Sequence, residues 1–599
     1  MTPSQCFGWD RLQTPVELHQ LLDVLGEYYP LSETNASRKL AFHRTDKPGY
    51  LKVTNSGDVT SIEYCSVNAA ARGIGLALAG RECCEETSLK TIGIMLDCSR
   101  SAVMTVTHFK EWLRELALMG YNMAMLYTED TYKLPDEPYF GFMRGAYTSD
   151  EIKELDAYAK RLGIEMIGCI QVLGHMEQIL RWPAYSQIRD TATVMMVDEP
   201  KTYELIEKMI SFWSDALSTR RIHIGMDETH DLGRGKFMDL HGYECGFDIF
   251  NRHLTKVNEI CRQQGLKAMI WSDMYFRLGS KTMDYYDKDA VTPSEVKDKI
   301  PSDVELVYWD YYHRDKEFYA EWIKRHRELG HEPLMGSGVW TWTKLWCDHE
   351  ITQSTVRPCL EACRESKLSE VFFTLWGDDG AYCEYDSALA GLCWAADMAF
   401  GSGGSAENMQ KSFGAICGGN YRVHQLASQL DYTLDNQHKT KVTASILMWD
   451  NPLMMKYRRE VAKFAPKMLS TLEQHYESIV KGLAQFIDEI AGGEIRMASQ
   501  AATVLANKLH LQDKLINAYS SRNMQTLREI AEREIPALIE DYCEFRKIYR
   551  RQWLRRNKKF GMEHIQSRLG GQIAEWEDAA KDIMDFVEGR TSEIAELSE

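Results

Sequence analysis

Eight short apolar runs, each followed by a stretch with the spacing of an amphipathic helix, set the tightest limit on how this chain folds. The runs fall at residues 91–97, 122–127, 164–171, 221–227, 267–271, 304–310, 333–337 and 370–376. Between them, 109–119, 149–162, 200–217, 247–264 and 317–329 repeat apolar residues every three or four positions, which gathers them on one helical face. Alternating strands and helices imply βαβ units and a parallel sheet. Eight such units predict an α/β chain built on one (β/α)8 TIM barrel. An open doubly wound sheet is the rival. The first run, however, leads into Cys98-Ser99-Arg100-Ser101 rather than a glycine-rich phosphate loop.

Two regions flank the barrel, so the division reads as 1–88, 89–400 and 401–599. The first looks like a small α/β domain: helical spacing over 16–29 and 68–79, and short strands at 50–53 and 60–64 around the turn Asn55-Ser56-Gly57-Asp58. Gly401-Ser402-Gly403-Gly404-Ser405 reads as a linker, and beyond it the chain is helix-patterned to its end. That tail offers a surface for a homodimer. Its basic run at 550–559 reads as a solvated helix face.

Charge and cysteines exclude several function classes. The net charge of −18 argues against nucleic acid or an anionic membrane as partner. No secretory leader or membrane-spanning run is expected. The 15 cysteines contain no Cys-x-x-Cys, so free thiols and a reducing cytoplasm are expected.

Barrel enzymes carry their chemistry at the C-terminal ends of the strands. There the chain places Asp97 and Arg100; Glu129 and Asp130; Gln171 and His175; Asp227, Glu228 and His230; Trp271 and Asp273; Trp309 and Asp310; Trp340 and Trp342; and Trp376, Asp378 and Asp379. Carboxylates and indoles on one rim suit a pyranose, whose C–H faces are apolar and whose hydroxyls are not. Asp227 and Glu228 are the sharpest pair. Strand alternation would send them to opposite faces unless the strand breaks there. Neighbouring carboxylates cannot easily straddle an anomeric carbon as a retaining pair must. They fit a substrate-assisted reaction better, with Asp227 steadying an oxazolinium and Glu228 as acid and then base. Glu228 then needs a raised pKa, which apolar walls and the Asp227 charge would give. His223 reads as a packed strand residue. No metal-ligand set accompanies it and His230, so no metal or cofactor is expected.

His223-Ile224-Gly225-Met226-Asp227-Glu228-Thr229 resembles the His-x-Gly-Gly-Asp-Glu-Val motif of the family 20 glycoside hydrolases, the β-N-acetylhexosaminidases. Leu96-Asp97-Cys98-Ser99-Arg100, Leu173-Gly174-His175 and Trp376-Gly377-Asp378 are similar to three further motifs of that family, in the same order. The resemblance implies that Arg100 binds the 3- and 4-hydroxyls, that His175 supports the acid, and that Asp378 meets the 4- or 6-hydroxyl. It implies that Trp271, Trp309 and Trp376 box the acetamido methyl; the strand-end reading puts Trp340 and Trp342 on the rim. Three departures stand out. Met226 replaces a glycine, and Gln171 replaces an Asp that pairs with the His in many members. The seventh strand end lacks the Tyr that holds the acetamido oxygen; Tyr311 or Tyr312 would take its place. The implied substrate is an oligosaccharide or glycoconjugate ending in β-linked GlcNAc or GalNAc, cut one residue at a time. Release of a disaccharide, or sugar binding without catalysis, are the alternatives.

Overall fold

The computed structural model describes residues 6–33, 36–378, 380–431, 443–464 and 466–598. Asp379 lies outside them. Eight parallel strands close into a barrel: β1 (Thr91–Asp97), β2 (Met123–Tyr127), β3 (Glu165–Cys169), β4 (Arg221–His223), β5 (Lys267–Trp271), β6 (Glu305–Trp309), β7 (Leu334–Gly338) and β8 (Glu370–Leu375). Each expected apolar run carries one of them. The ring closes where β8 pairs with β1, Leu375 beside Leu96, and β1 pairs with β2, Asp97 beside Tyr127.

The outer helices start where local chemistry dictates. Thr148 accepts the Glu151 N–H while the Glu151 carboxylate accepts the Thr148 N–H, a capping box that opens Ser149–Arg161. Losing such a cap costs about 1 kcal/mol. Pro200 opens Pro200–Ala216, where a missing N–H is harmless.

The barrel interior is a core of its own. Met95, Met123, Met125, Ile167, Cys169, Met269, Val307 and Phe372 fill it, and the same cluster continues upward into Tyr127, Trp271, Trp309, Tyr311, Trp342 and Trp376. The walls of the site are therefore the top layer of the barrel core.

Before the barrel stands a mixed six-stranded sheet. It contains the expected strands, here Tyr50–Ser56 and Val59–Tyr64, and adds Arg38–Arg44 and Cys83–Glu86. In Arg38–Arg44 only Leu40 and Phe42 are buried and four of seven residues are basic, so the period-two signal is faint. The helix Val67–Leu78 joins this sheet to the barrel; a Cβ on Gly75 would meet the Leu118 carbonyl oxygen at 2.2 Å.

After the barrel, helices such as Ile495–Ser520, Ile535–Arg556 and Met562–Val587 form the C-terminal region. The basic run at 550–559 keeps a solvated face at Arg550, Arg551, Arg555 and Lys559 and departs from that expectation at Arg556. Trp553 and Arg556 are 1% exposed, Arg551 pairs with Glu494, and Lys558 pairs with Glu151. These cations face acidic groups of the protein itself, which periodicity alone does not reveal. No described helix is long and apolar enough to cross a membrane.

Candidate active site

Strand β4 shapes the site by ending early. Gly225 and Met226 both enter the left-handed region, at φ 71° and 73°. A Cβ on Gly225 would lie 2.1 Å from Gln171 Oε1 and 2.6 Å from the Ile170 carbonyl oxygen. Met226 adopts the same conformation with a side chain, at a cost of about 1–2 kcal/mol, and its N–H donates to Gln171 Oε1 at 3.1 Å. The break cancels strand alternation, so Asp227 and Glu228 border the same cavity.

His175 stands between the two carboxylates. Its Nε2 lies 3.3 Å from Asp227 Oδ2 and 3.4 Å from Glu228 Oε2. Gln171 does not pair with this imidazole. Its Nε2 donates instead to Asp227 Oδ1 at 2.6 Å and to the Tyr127 hydroxyl at 2.9 Å. Glu228 has two more partners: the Tyr285 hydroxyl donates to its Oε1 at 2.8 Å, and its backbone N–H donates to Asp273 Oδ2 at 3.1 Å.

These contacts set where the protons rest. Burial alone would drive His175 neutral, but the facing Asp227, with Glu228 and Glu129, holds it cationic, well above its ordinary value. Burial alone would raise Asp227; the His175 cation and the Gln171 hydrogen bond outweigh it and lower it. Glu228 behaves alike. Burial and Asp227 push it up, while His175 and the Tyr285 hydroxyl pull it further down, so the net shift is downward. The expectation of a raised Glu228 is thus reversed in the resting site, because a cation sits between the two acids. Two buried carboxyls are raised: Asp273, pushed up to about 8 by complete burial and the neighbouring Asp227 charge, and Glu129, pushed up to about 7 by burial against the pull of Arg100.

The cavity and its open mouth together enclose about 440 Å³ of empty space. Trp271, Trp309, Trp376, Tyr311 and Tyr312 line it, as does Trp342. Trp340 does not. It stacks on Trp342, ring centroids 4.0 Å apart, beside the lining. Tyr311 is buried and lies against Trp309 at 5.3 Å; its hydroxyl has no well-formed hydrogen-bond partner. Tyr312 is 58% exposed.

Arg100 occupies the opposite corner. Asp97 Oδ1 accepts from the Ser99 N–H and hydroxyl, both at 2.8 Å, and this turn delivers the guanidinium. It lies 3.4 Å from Asp97, 3.4 Å from Glu129 and 3.7 Å from Asp378. Tyr127 and Trp376 flank it with ring centroids 5.3 and 5.4 Å away. His223 is buried away from the cavity, against Trp271.

Two contributors escaped the sequence reading. Tyr285 arrives from the 278–293 loop, where only the aromatic pair Tyr285-Tyr286 marks it; its hydroxyl also meets His230 Nε2 at 2.6 Å. Asp273 stood out as a rim residue without a role. It binds the acid's backbone, and its Oδ1 accepts from Trp309 Nε1 at 3.2 Å. Among the described residues, the one His/Asp/Glu group tight enough to share an ion is His175, Asp227 and Glu228, with ligand atoms within 4.8 Å.

Comparison with known proteins gives the following. The profile described as "Glycosyl hydrolase family 20, catalytic domain" matches residues 92–325, and that of the "Glycoside Hydrolase 20C C-terminal domain" matches 423–599. Together they cover about two-thirds of the chain. Human hexosaminidase D is 24% identical over 234 residues, 35% of this chain and 43% of that protein. Beta-hexosaminidase 3 of Arabidopsis thaliana is 21% identical over 276 residues, 41% of this chain and 50% of that one. The match thus spans half or less of either relative. Among solved structures, the Flavobacterium johnsoniae chitobiase aligns over 99% of this chain and 91% of its own, with a TM-score of 0.50 and 14% identity. An inactive mutant of the Vibrio harveyi family 20 exo β-N-acetylglucosaminidase aligns over 68% of this chain and 72% of its own, also with a TM-score of 0.50 and 14% identity. At that identity the structural likeness speaks for the fold alone.

Proposed function

Because this chain belongs to glycoside hydrolase family 20, we propose that it removes terminal, non-reducing β-linked GlcNAc or GalNAc by a retaining, substrate-assisted reaction. One observation carries the reading: the broken end of β4 turns Asp227 and Glu228 into the same aromatic-walled cavity, with His175 within 3.4 Å of both.

The sugar's acetamido oxygen attacks C1 as the glycosidic oxygen leaves with a proton from Glu228. Asp227, kept ionised by His175 and Gln171, accepts the acetamido N–H and balances the oxazolinium charge. Tyr311, buried in the cavity wall, supplies the hydroxyl for the acetamido oxygen, a role for which the exposed Tyr312 is less suited. Trp271, Trp309 and Trp376 enclose the methyl group. Water then opens the oxazolinium at C1 and returns a proton to Glu228, so two inversions give retention. For the first turnover, the cationic His175, 3.4 Å from Glu228, is the acid within reach that can supply the proton. Arg100 and Asp378 bind the hydroxyls at the far corner. All fifteen cysteines are free, which supports a reducing, cytoplasmic setting.

Activity on an aryl N-acetyl-β-glucosaminide tests the reading. Glu228→Gln and Asp227→Asn should each lower kcat by about 10²- to 10⁴-fold. Wild-type rates in both would refute it, and faster release of a disaccharide than of GlcNAc would refute the exo assignment.

A further inference from the structure

Two loops meet at the Arg100 corner, and one stretch of the C-terminal helices holds both. The loop after β1, which carries Arg100, is pinned along its length. Met104 forms an antiparallel bridge with Asn557. The Thr105 N–H donates to the Arg556 carbonyl at 2.8 Å, and the Lys558 N–H donates to the Val103 carbonyl at 2.8 Å. Gly561 sits so near that a Cβ would lie 2.0 Å from the Ser101 carbonyl oxygen.

The loop after β8, which carries Asp378, is held by the same helix, Ile535–Arg556. The Arg556 guanidinium pairs with Glu384 and Asp386, and all three side chains are buried. The Tyr549 hydroxyl donates to the Ala381 carbonyl at 3.2 Å. Asp97 ties the two loops together: its Oδ1 accepts the Ser99 N–H and its Oδ2 the Gly377 N–H, at 2.8 and 2.9 Å. Across this junction Arg100 Nε and Asp378 Oδ1 stand 3.7 Å apart.

A buried ion cluster is a weak source of net stability, since desolvation offsets the attraction. What the arginine fork does supply is geometry, because one planar group fixes two carboxylates and their backbones together. We propose that the C-terminal helical region is part of the sugar site: Arg556 and Tyr549 are positioning residues that set the spacing of Arg100 and Asp378, and through it discrimination at the sugar's 4-hydroxyl. This rests on the reading of Arg100 and Asp378 as hydroxyl contacts, and it gives the basic run of the sequence a function.

The test uses the full chain with Arg556→Lys, which keeps the charge but loses the fork, and the milder Tyr549→Phe. Substrates are an aryl N-acetyl-β-glucosaminide and its 4-deoxy analogue, and hydrogen exchange is followed at 98–105 and 377–387. Arg556→Lys should raise KM about tenfold, the scale of one lost charged hydrogen bond, with kcat changed less than about threefold. The penalty for removing the 4-hydroxyl should shrink in both variants, and exchange should rise in those two segments but not in the barrel strands. An undiminished 4-deoxy penalty, or unaltered exchange in the two segments, would overturn the proposal. If the wild type cleaved neither glycoside, the activity reading would fall instead, and exchange alone would decide the clamp.

Discussion

Asp273 Oδ2 accepts the backbone N–H of Glu228 at 3.1 Å, and its other oxygen accepts Trp309 Nε1 at 3.2 Å. One buried carboxyl thereby fixes both the general acid, which sits at φ 48°, and a wall of the cavity. Asparagine cannot accept from both donors, because its NH2 must face one of them. Asp273→Asn should therefore cost about 10- to 100-fold in kcat, the scale of a small misplacement of a reacting group. In a Trp309→Phe background the indole donor is gone, and the amide can turn its NH2 to the vacated side. The further loss there should be much smaller. Equal losses in the two backgrounds would show that Asp273 does not act through this pair of contacts.

The proton balance around His175 gives a second prediction. His175 and the Tyr285 hydroxyl both pull Glu228 down, against burial and Asp227. Replacing His175 by Phe leaves the Tyr285 hydroxyl alone against burial and Asp227, so the pKa of Glu228 should rise. Catalysis needs the protonated acid, so the alkaline limb of kcat/KM should move to higher pH as kcat falls by about 10²-fold. Tyr285→Phe should move the limb in the same direction and by less. A limb that stayed put or moved to lower pH in His175→Phe would contradict this placement of the proton.

How much of this was written in the sequence depends on the range of each signal. The strands are local, with apolar runs bounded by turns, so all eight were legible. The Asp227-Glu228 pair was legible as chemistry. Its shared orientation was not, because it depends on the left-handed turn at Gly225 and Met226. Trp340 and Trp342 lie two residues apart after β7 with the same composition around them, and only packing decides which ring meets the cavity. Tyr285 and Arg556 reach the site from a loop and from a distant helix. Contacts such as Arg556 to Asp386, 170 residues apart, leave no trace in periodicity.

The same clamp predicts a pH dependence of stability. Asp386 is buried; desolvation would raise it, but Arg556 and His108 hold it below the ordinary carboxylate range. His108 is pushed from 6.5 up to about 9: burial opposes the shift, and Asp386 and Glu111 carry it. A raised histidine contributes stability that is full below its unfolded value and is lost as pH climbs through its folded one. The melting temperature should thus fall between about pH 6.5 and 9 by a component that His108→Gln abolishes. The depressed Asp386 contributes above its unfolded value and should lose that contribution as pH drops below about 4. An alkaline slope unchanged in His108→Gln would place the loss elsewhere.

The two tryptophans after β7 separate lining from support. Trp342 borders the cavity, while Trp340 stacks on it at 4.0 Å and meets Tyr312 edge-on at 5.6 Å. Both rings are nearly buried, so each truncation to alanine should destabilise the protein by about 3–5 kcal/mol. Their kinetic effects should differ. Trp342→Ala removes a ring face from the sugar and should raise KM about tenfold, the weight of one aromatic stacking contact. Trp340→Ala leaves that face in place but unsupported, and should raise KM only about two- to threefold for a comparable fall in melting temperature. Phenylalanine at 340 should restore most of the stability and nearly all of the affinity, because it keeps an aromatic surface behind Trp342. If Trp340→Ala raised KM as much as Trp342→Ala, the outer indole would have to reach the sugar as well, and the cavity wall would extend one layer beyond the position assigned to it.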